Sequence, residues 1–148
     1  MREVGRIVTM SEADYADWFQ RRVVTRSDGG FYCLLFNLED TPIGEVSYRL
    51  IDPAKRMAAQ NIKIHARHRR KGNATDGLLH FLDHAFNRHG IHRMSDEIAI
   101  YNTVAQDFFI RLGFVHYPSK SQHFWVEMDR ESFNMRYKTA NGKWTFGG

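Results

Sequence analysis

Apolar positions along this chain recur with two periods, and the switch between them marks out the elements. "GRIVTM" (residues 5–10) reads as a first strand. "SEADYADWFQRRVV" (residues 11–24) follows as a helix, with Ser11 as its cap, Asp14 three residues on, and "RSDGG" as its exit. "FYCLLFNL" (residues 31–38) is too continuously apolar for a half-exposed strand and is expected to be central. After the turn "EDTP", "IGEVSYRLI" (residues 43–51) alternates and makes a hairpin with its predecessor. "MAAQNIKIHA" (residues 57–66) is the next strand, with Ile62 and Ile64 on one face and Lys63 and His65 on the other. From residue 73 to 88 the period becomes helical. Leu78, Leu79, Phe81, Leu82, Ala85 and Phe86 fall within about 160° of arc, and Gly90 supplies a C-terminal stop. "IHRMSDEIAI" (residues 91–100) is a strand. "NTVAQDFFIRLG" (residues 102–113) is a helix capped by Asn102 and ended by Gly113. "FVHYPS" and "SQHFWVEMD" close the pattern as a hairpin. From Glu131 the chain turns polar and loses its period. The order β α β β β α β α β β predicts a mixed α/β sandwich of the α+β type with at least one parallel crossover.

Composition narrows this little. A chain of 148 residues fits one domain with a real core. Residues 1–130 read as that domain, and 131–148 as a C-terminal appendage or partly ordered tail. No window approaches the ~18 apolar residues of a membrane span, and the first residues lack a secretory apolar region, so the cytoplasm is the expected location. Cys33 is the only cysteine, which excludes an internal disulfide and a cysteine-based zinc cluster; its place in an apolar strand makes it a core residue. The formal charge is +4 and the sequence pI about 9.4, which favours anionic ligands in general: nucleic acid, a phosphorylated cofactor or an acidic protein surface.

One segment asks for a specific ligand. Arg67, His68, Arg69, Arg70 and Lys71 stand at the mouth of the long helix, where the dipole is already positive. Cations there are unfavourable unless an anion sits among them. Strand, basic loop with Gly72, then helix N-terminus is the physical recipe for a pyrophosphate site, since backbone N–H groups are exposed and glycine permits close approach. The spacing fits neither G-x-G-x-x-G nor G-x-x-x-x-G-K-[ST], so dinucleotide and nucleoside-triphosphatase readings fail.

"RRKGNA", Arg69 to Ala74, resembles the R/Q-x-x-G-x-G/A signature of the GCN5-related N-acetyltransferases (GNAT). Downstream, "NTVAQDFFIRLGF" resembles that family's N-x-x-A segment, with Asn102, Ala105, Leu112, Gly113 and Phe114 in place. The resemblance covers about residues 5–129. "HAFNRHGIHRM" is similar to the branch of ribosomal-protein N-terminal and polyamine acetyltransferases. It implies a GNAT-like fold: a mostly antiparallel twisted sheet of six to seven strands, helices on both faces, and a parallel pair formed by the strands flanking the long helix. It implies acetyl-CoA as donor and an amine as acceptor, in a monomer or homodimer. The pyrophosphate then falls on the amides of Arg70, Lys71, Gly72, Asn73, Ala74 and Thr75, with Arg69 also cofactor-binding, and the pantetheine on the backbone of Ile62, Lys63, Ile64 and His65. Asn102 and the position of Phe109 would contact the cofactor from the next strand and helix.

Two departures follow. The family's usual acid, a tyrosine, maps to Phe109, which has no hydroxyl, as often in the N-terminal acetyltransferase branch. The family's usual base positions match Ala58 and Gln60, and neither takes a proton. Glu45 and Glu97, with Asn102, are the remaining catalytic candidates, against the plainer reading of the two glutamates as surface carboxylates. Tyr101 and Tyr117 are possible acids, and His65 a possible catalytic group. Trp18, Phe19, Tyr117 and Trp125 could line an acceptor pocket, although core packing suits most of them. His80 and His84 have i, i+4 spacing but lie on the polar face without the glutamate of H-E-x-x-H, so no metal is expected. The expected activity is acetyl transfer to a primary amine of a peptide N-terminus, a polyamine or a small molecule, by direct attack. Its rivals are a non-catalytic acyl-CoA-binding module and a basic nucleic-acid binder. The last lacks exposed aromatics beside the basic run, and no nucleic acid or membrane is expected as a partner.

Overall fold

The computed structural model describes residues 29–65, 73–118 and 122–145. In chain order these form β1 (Phe31–Phe36), β2 (Pro42–Asp52), β3 (Met57–Ile64), α1 (Asn73–Asn87), β4 (Arg93–Ala99), α2 (Thr103–Leu112), β5 (Val115–Tyr117), β6 (His123–Asp129) and α3 (Arg130–Tyr137). The strands hydrogen-bond in the order β1-β2-β3-β4-β6-β5. β3 and β4 are parallel, while β1–β2, β4–β6 and β5–β6 are antiparallel. This is the mixed α/β class with the parallel pair that the sequence predicts on either side of the long helix. The expected first strand and first helix, and the basic run, lie outside the described residues. The chain divides into two compact units, one of residues up to 50 with 60–81, the other of 51–59 with residues from 82 onward.

In the first unit, Phe31 pairs with Tyr48, Cys33 with Val46 and Leu35 with Gly44, so these side chains share one face of the hairpin. Phe81 of α1 packs on that face, 6.4 Å from the Phe31 ring and 5.8 Å from Tyr48. A Cβ at Gly77 would meet both Leu35 methyls at 3.0 Å, so glycine lets the first half of α1 lie close on β1. A Cβ at Gly44 would stand 2.2 Å from the Lys63 carbonyl oxygen; β2 and β3 touch backbone to backbone where only glycine fits. The apolar run of β1 serves two faces: Leu34 and Phe36 are half-exposed. Among the described strands β1 ends the order instead of sitting at its centre.

In the second unit, Met94 pairs with Met128, Asp96 with Val126 and Ile98 with Phe124. Met94, Ile98, Val126 and Met128 are buried, as are Phe86, Ile91, Phe109, Leu112 and Phe114. Burying one such side chain contributes about 1.5–3 kcal/mol. α2 begins where Asn102 Oδ1 accepts the Ala105 N–H at 3.2 Å and ends at Gly113, whose φ is +112°. Gly90, with φ +71°, follows α1. After β6 the polar segment begins with α3. Asp129 caps α3 by accepting the Ser132 N–H at 2.7 Å. Phe133 is fully buried 5.4 Å from Phe86, Tyr137 Oη donates to the Leu112 carbonyl, and Lys138 bridges to Trp144. Two apolar residues four apart suffice to dock an otherwise polar helix, and so short a stripe leaves no visible period.

Candidate active site

Each candidate is set in place by strand register or a helix cap. In the first unit, Glu45 lies on β2 opposite Leu34, on the face away from Phe81. Tyr32 Oη donates to Glu45 Oε2 at 2.5 Å, and Lys63 Nζ stands 3.7 Å from Oε1. The carboxylate is thus engaged by a phenol and an ammonium and ties β1, β2 and β3 together. Ile62, Lys63 and Ile64 finish β3, with Ile64 buried; the His65 N–H donates to the Ile43 carbonyl at 2.7 Å. Asn73, Ala74 and Thr75 open α1, whose first turn carries the acid Asp76. Arg69, Arg70, Lys71 and Gly72 lie outside the described residues.

In the second unit, the parallel ladder joins Met57–Ala59 to Arg93–Ser95 and ends there. β4 runs on to Ala99 beside β6. Glu97 Oε1 stands 3.0 Å from His123 Nδ1, both side chains about half-exposed. On the same face Tyr117 pairs opposite Trp125, Trp125 Nε1 donates to Glu127 Oε2 at 2.6 Å, and Arg93 Nη1 lies 3.1 Å from Glu127 Oε1. Within this row Glu127 is engaged by an indole N–H and a guanidinium. The sequence signals neither the row nor the part of His123 in it, because both depend on β4–β6 register.

Asn102 follows β4 directly, its N–H donating to the Ala99 carbonyl at 2.9 Å. Its cap uses Oδ1; its Nδ2 donors make no bond among the described residues and are available to a ligand. Phe109 points inward: it is buried, with Phe108 and Phe114 rings both at 5.2 Å. Tyr101 is almost fully exposed and Tyr117 half-exposed. Ala58 and Gln60, at the family's base positions, are buried. Among the described residues no three His, Cys, Asp or Glu side chains could hold a metal ion. His84 meets His89 edge-on at 4.7 Å. Burial, then His84, then Arg56 hold the His89 imidazole below its ordinary value. Burial pushes the half-buried Cys33 thiol up, away from a nucleophile's range.

Two open cavities lie within the second unit, and neither takes in a residue singled out from the sequence. One, of about 610 Å³, is lined by Lys55, His92, Arg93 and Glu127 among others. The other, of about 730 Å³, lies along Asp83, Asn87, Asn134 and Lys138.

The fold has many relatives among solved structures. A chimera of the Vibrio cholerae spermidine N-acetyltransferase SpeG with hSSAT is 17% identical, over 84% of this chain and 80% of its own, with a TM-score of 0.72. Spermidine/spermine N-acetyltransferase SpeG from Vibrio cholerae in complex with manganese ions is 19% identical, over 83% and 78%, with a TM-score of 0.70. The dodecameric spermidine N-acetyltransferase from Vibrio cholerae in an intermediate state is 17% identical, over 83% and 77%, at 0.71. No curated protein matches the chain. At these identities the likeness shows the fold. The family profile described as "Acetyltransferase (GNAT) domain" matches residues 1–115, more than half of the chain, and the protein therefore belongs to the GNAT acetyltransferases.

Proposed function

We propose that this N-acetyltransferase uses acetyl-CoA and transfers its acetyl group to a primary amine by direct attack. The observation that carries the reading is the strand–basic loop–helix passage inside the family match: β3 leads through "RHRRKG" into the N-terminus of α1 at Asn73. The residues present fit an anionic, diphosphate-bearing donor. A 15-residue helix offers its first-turn amides, the sequence before it carries Arg69, Arg70 and Lys71, and Gly77 seats the helix on β1. The cations that would oppose the helix dipole are offset by the phosphates.

When bound, acetyl-CoA supplies an activated thioester. In this reading the amides of Arg70 to Thr75 hold the diphosphate, and the backbone of Ile62 to His65 aligns the pantetheine as an added strand. Asn102 and Phe109 are the further donor-contacting positions that the family likeness implies. The protein contributes proximity and backbone N–H polarisation of the carbonyl. Glu45, Glu97 and Asn102 are the candidate catalytic side chains. The acceptor is a primary amine of a polyamine, a peptide N-terminus or a small molecule. Spermidine and spermine, named in the fold relatives, come first among the amines to test. The enzyme acts in the cytoplasm as a monomer or homodimer. Among the described residues no helix is long and apolar enough to cross a membrane.

Thermal unfolding with acetyl-CoA tests the donor. At a concentration ~100 times the dissociation constant, binding adds about 2.7 kcal/mol. That raises Tm by several degrees for a domain of this size. An unchanged Tm at millimolar donor overturns the reading.

A further inference from the structure

The stretch from Phe31 to Tyr48 holds no lysine, arginine or histidine, in a chain with 21 lysines and arginines and 8 histidines. It folds as β1, a tight turn and most of β2, all within the first unit. Its acids are Glu39, Asp40 and Glu45. Glu45 is offset by Lys63 at 3.7 Å. The carboxylates of Glu39 and Asp40 have no hydrogen-bond or ion-pair partner among the described residues. A protein of formal charge +4 thus carries one hairpin of the opposite sign.

The turn that presents these acids is held from within. Asn37 Oδ1 accepts the Glu39 N–H at 2.9 Å and the Thr41 N–H at 3.0 Å, and the Asn37 carbonyl accepts the Asp40 N–H at 3.1 Å. Asp40 takes φ +58°, a left-handed conformation that Asp and Asn tolerate better than most residues. Beside the acids stand apolar side chains that the core leaves in solvent. Leu38 in the turn is fully exposed, and Leu34 and Phe36 on β1 are 50% and 54% exposed. Among the described strands β1 ends the order, and Cys33 to Phe36 pair there with β2 alone. An outer strand carries a row of unpaired N–H and C=O groups on its far side, which proteins guard with lysines, prolines or bulges. Neither lysine nor proline stands on β1; a register shift between Leu35 and Phe36 bends only its end.

We infer that the outer side of β1 and the β1–β2 turn form a docking strip for an extended, cationic peptide. The peptide backbone adds as a strand beside Cys33 to Leu35. Its large apolar side chains cover Leu34 and Phe36, and its arginines or lysines reach Glu39 and Asp40. Backbone pairing supplies the affinity of such an added strand, and the side-chain positions supply its selectivity. Charge decides the class of partner. An acidic peptide meets two unpaired carboxylates and is repelled, whereas a cationic one offsets them. The strip is short, so the contact is of the weak, transient kind. Docking here requires no step of acetyl transfer.

The probe is a peptide of alternating arginine and valine, blocked at both ends. It holds no primary amine, so binding is read apart from any use as an acetyl acceptor. The purified full chain is titrated with it by calorimetry, beside a glutamate–valine peptide of the same length. The arginine–valine peptide is expected to bind, more weakly as salt rises, and the glutamate–valine peptide to show no binding. Glu39→Gln combined with Asp40→Asn removes two exposed charge pairs and weakens binding about tenfold. Leu34→Thr combined with Phe36→Thr, which keeps strand-forming residues, abolishes it at an unchanged Tm. Strand addition is tested from the peptide side, where the protein's fold is untouched. Methylating the backbone nitrogens of one alternate set of residues abolishes binding, while methylating the other set is tolerated. No binding of the arginine–valine peptide, equal binding of both peptides, equal tolerance of both methylated sets, or full affinity in the Glu39/Asp40 variant overturns the inference. An oligomer of the chain alone that Leu34→Thr with Phe36→Thr dissociates gives the strip to a second copy and overturns it as well.

Discussion

Glu45 and Glu97 are both glutamates on inner strands, yet the two regions use them differently. In the first unit, Glu45 accepts a hydrogen bond from the Tyr32 hydroxyl and stands 3.7 Å from the Lys63 ammonium, contacts that join three strands. In the second, Glu97 Oε1 stands 3.0 Å from His123 Nδ1, and both side chains are about half-exposed. A carboxylate surrounded by donors and a cation is held as a structural anion. A carboxylate at the half-exposed end of a strand stands where a ligand from solvent can meet it. The difference lies in what each strand register sets opposite the glutamate, since the residue type is the same.

The largest effect that bears on this contrast concerns Phe109. Its ring is buried in the second unit against Phe108 and Phe114. Phe109→Ala should cost about 3–5 kcal/mol in chemical denaturation. Phe109→Tyr should change kcat by less than the ~10²-fold of a general acid. A gain of that size on adding the hydroxyl would show that this position faces the reaction, and the second unit would need a different reading.

Next in size is the paired loss at the two glutamates. Glu97→Gln should lower kcat with KM for the donor unchanged. Glu45→Gln should leave kcat nearer wild type and instead lower stability by about 1 kcal/mol, as expected for one net hydrogen bond. Turnover measured beside denaturant midpoints separates the two outcomes, and their reversal would exchange the roles assigned to the two regions. Tyr32→Phe sharpens the point: it removes the donor to Glu45 at about 0.5–1.5 kcal/mol, again read as a shifted midpoint with kcat retained.

The smallest effect is electrostatic. Burial, His84 and Arg56 keep His89 neutral in the folded protein at pH values where the unfolded chain takes up a proton. The unfolded state binds more protons in that window, so stability falls as pH drops from ~6.5 toward the depressed folded value, then levels. His89→Asn should flatten that part of a stability–pH curve.

Several parts of this arrangement are legible in the sequence, for local reasons. The apolar stripe from Leu78 to Phe86, Gly90, the Asn102 cap and Gly113 each act within one or two helical turns, and they place α1 and α2 where the structure has them. The β5–β6 hairpin is readable in the same way. α3 is not: its buried stripe is Phe133 and Tyr137 alone, although Asp129 with Ser132 carries a capping signal. The end position of β1 among the described strands is hidden by its apolar composition, which a two-faced strand and a central one share. His123 is hidden most deeply, because its partner follows from β4–β6 register, which no local pattern encodes. The sequence nominates Glu45 and Glu97 alike; only the register shows which has Tyr32 and Lys63 and which has His123.

The central claim is acetyl-CoA-dependent acetylation of a primary amine. The most direct measurement is mass spectrometry of the amine after incubation of the purified chain with acetyl-CoA, beginning with spermidine and spermine and extending to peptide N-termini and small-molecule amines, with free thiol followed in parallel. The account predicts one N-acetyl group on the amine for each thiol released, with neither formed when the amine is left out. Thiol release that is independent of any amine, or donor binding with no acetylated product across the panel, would contradict it.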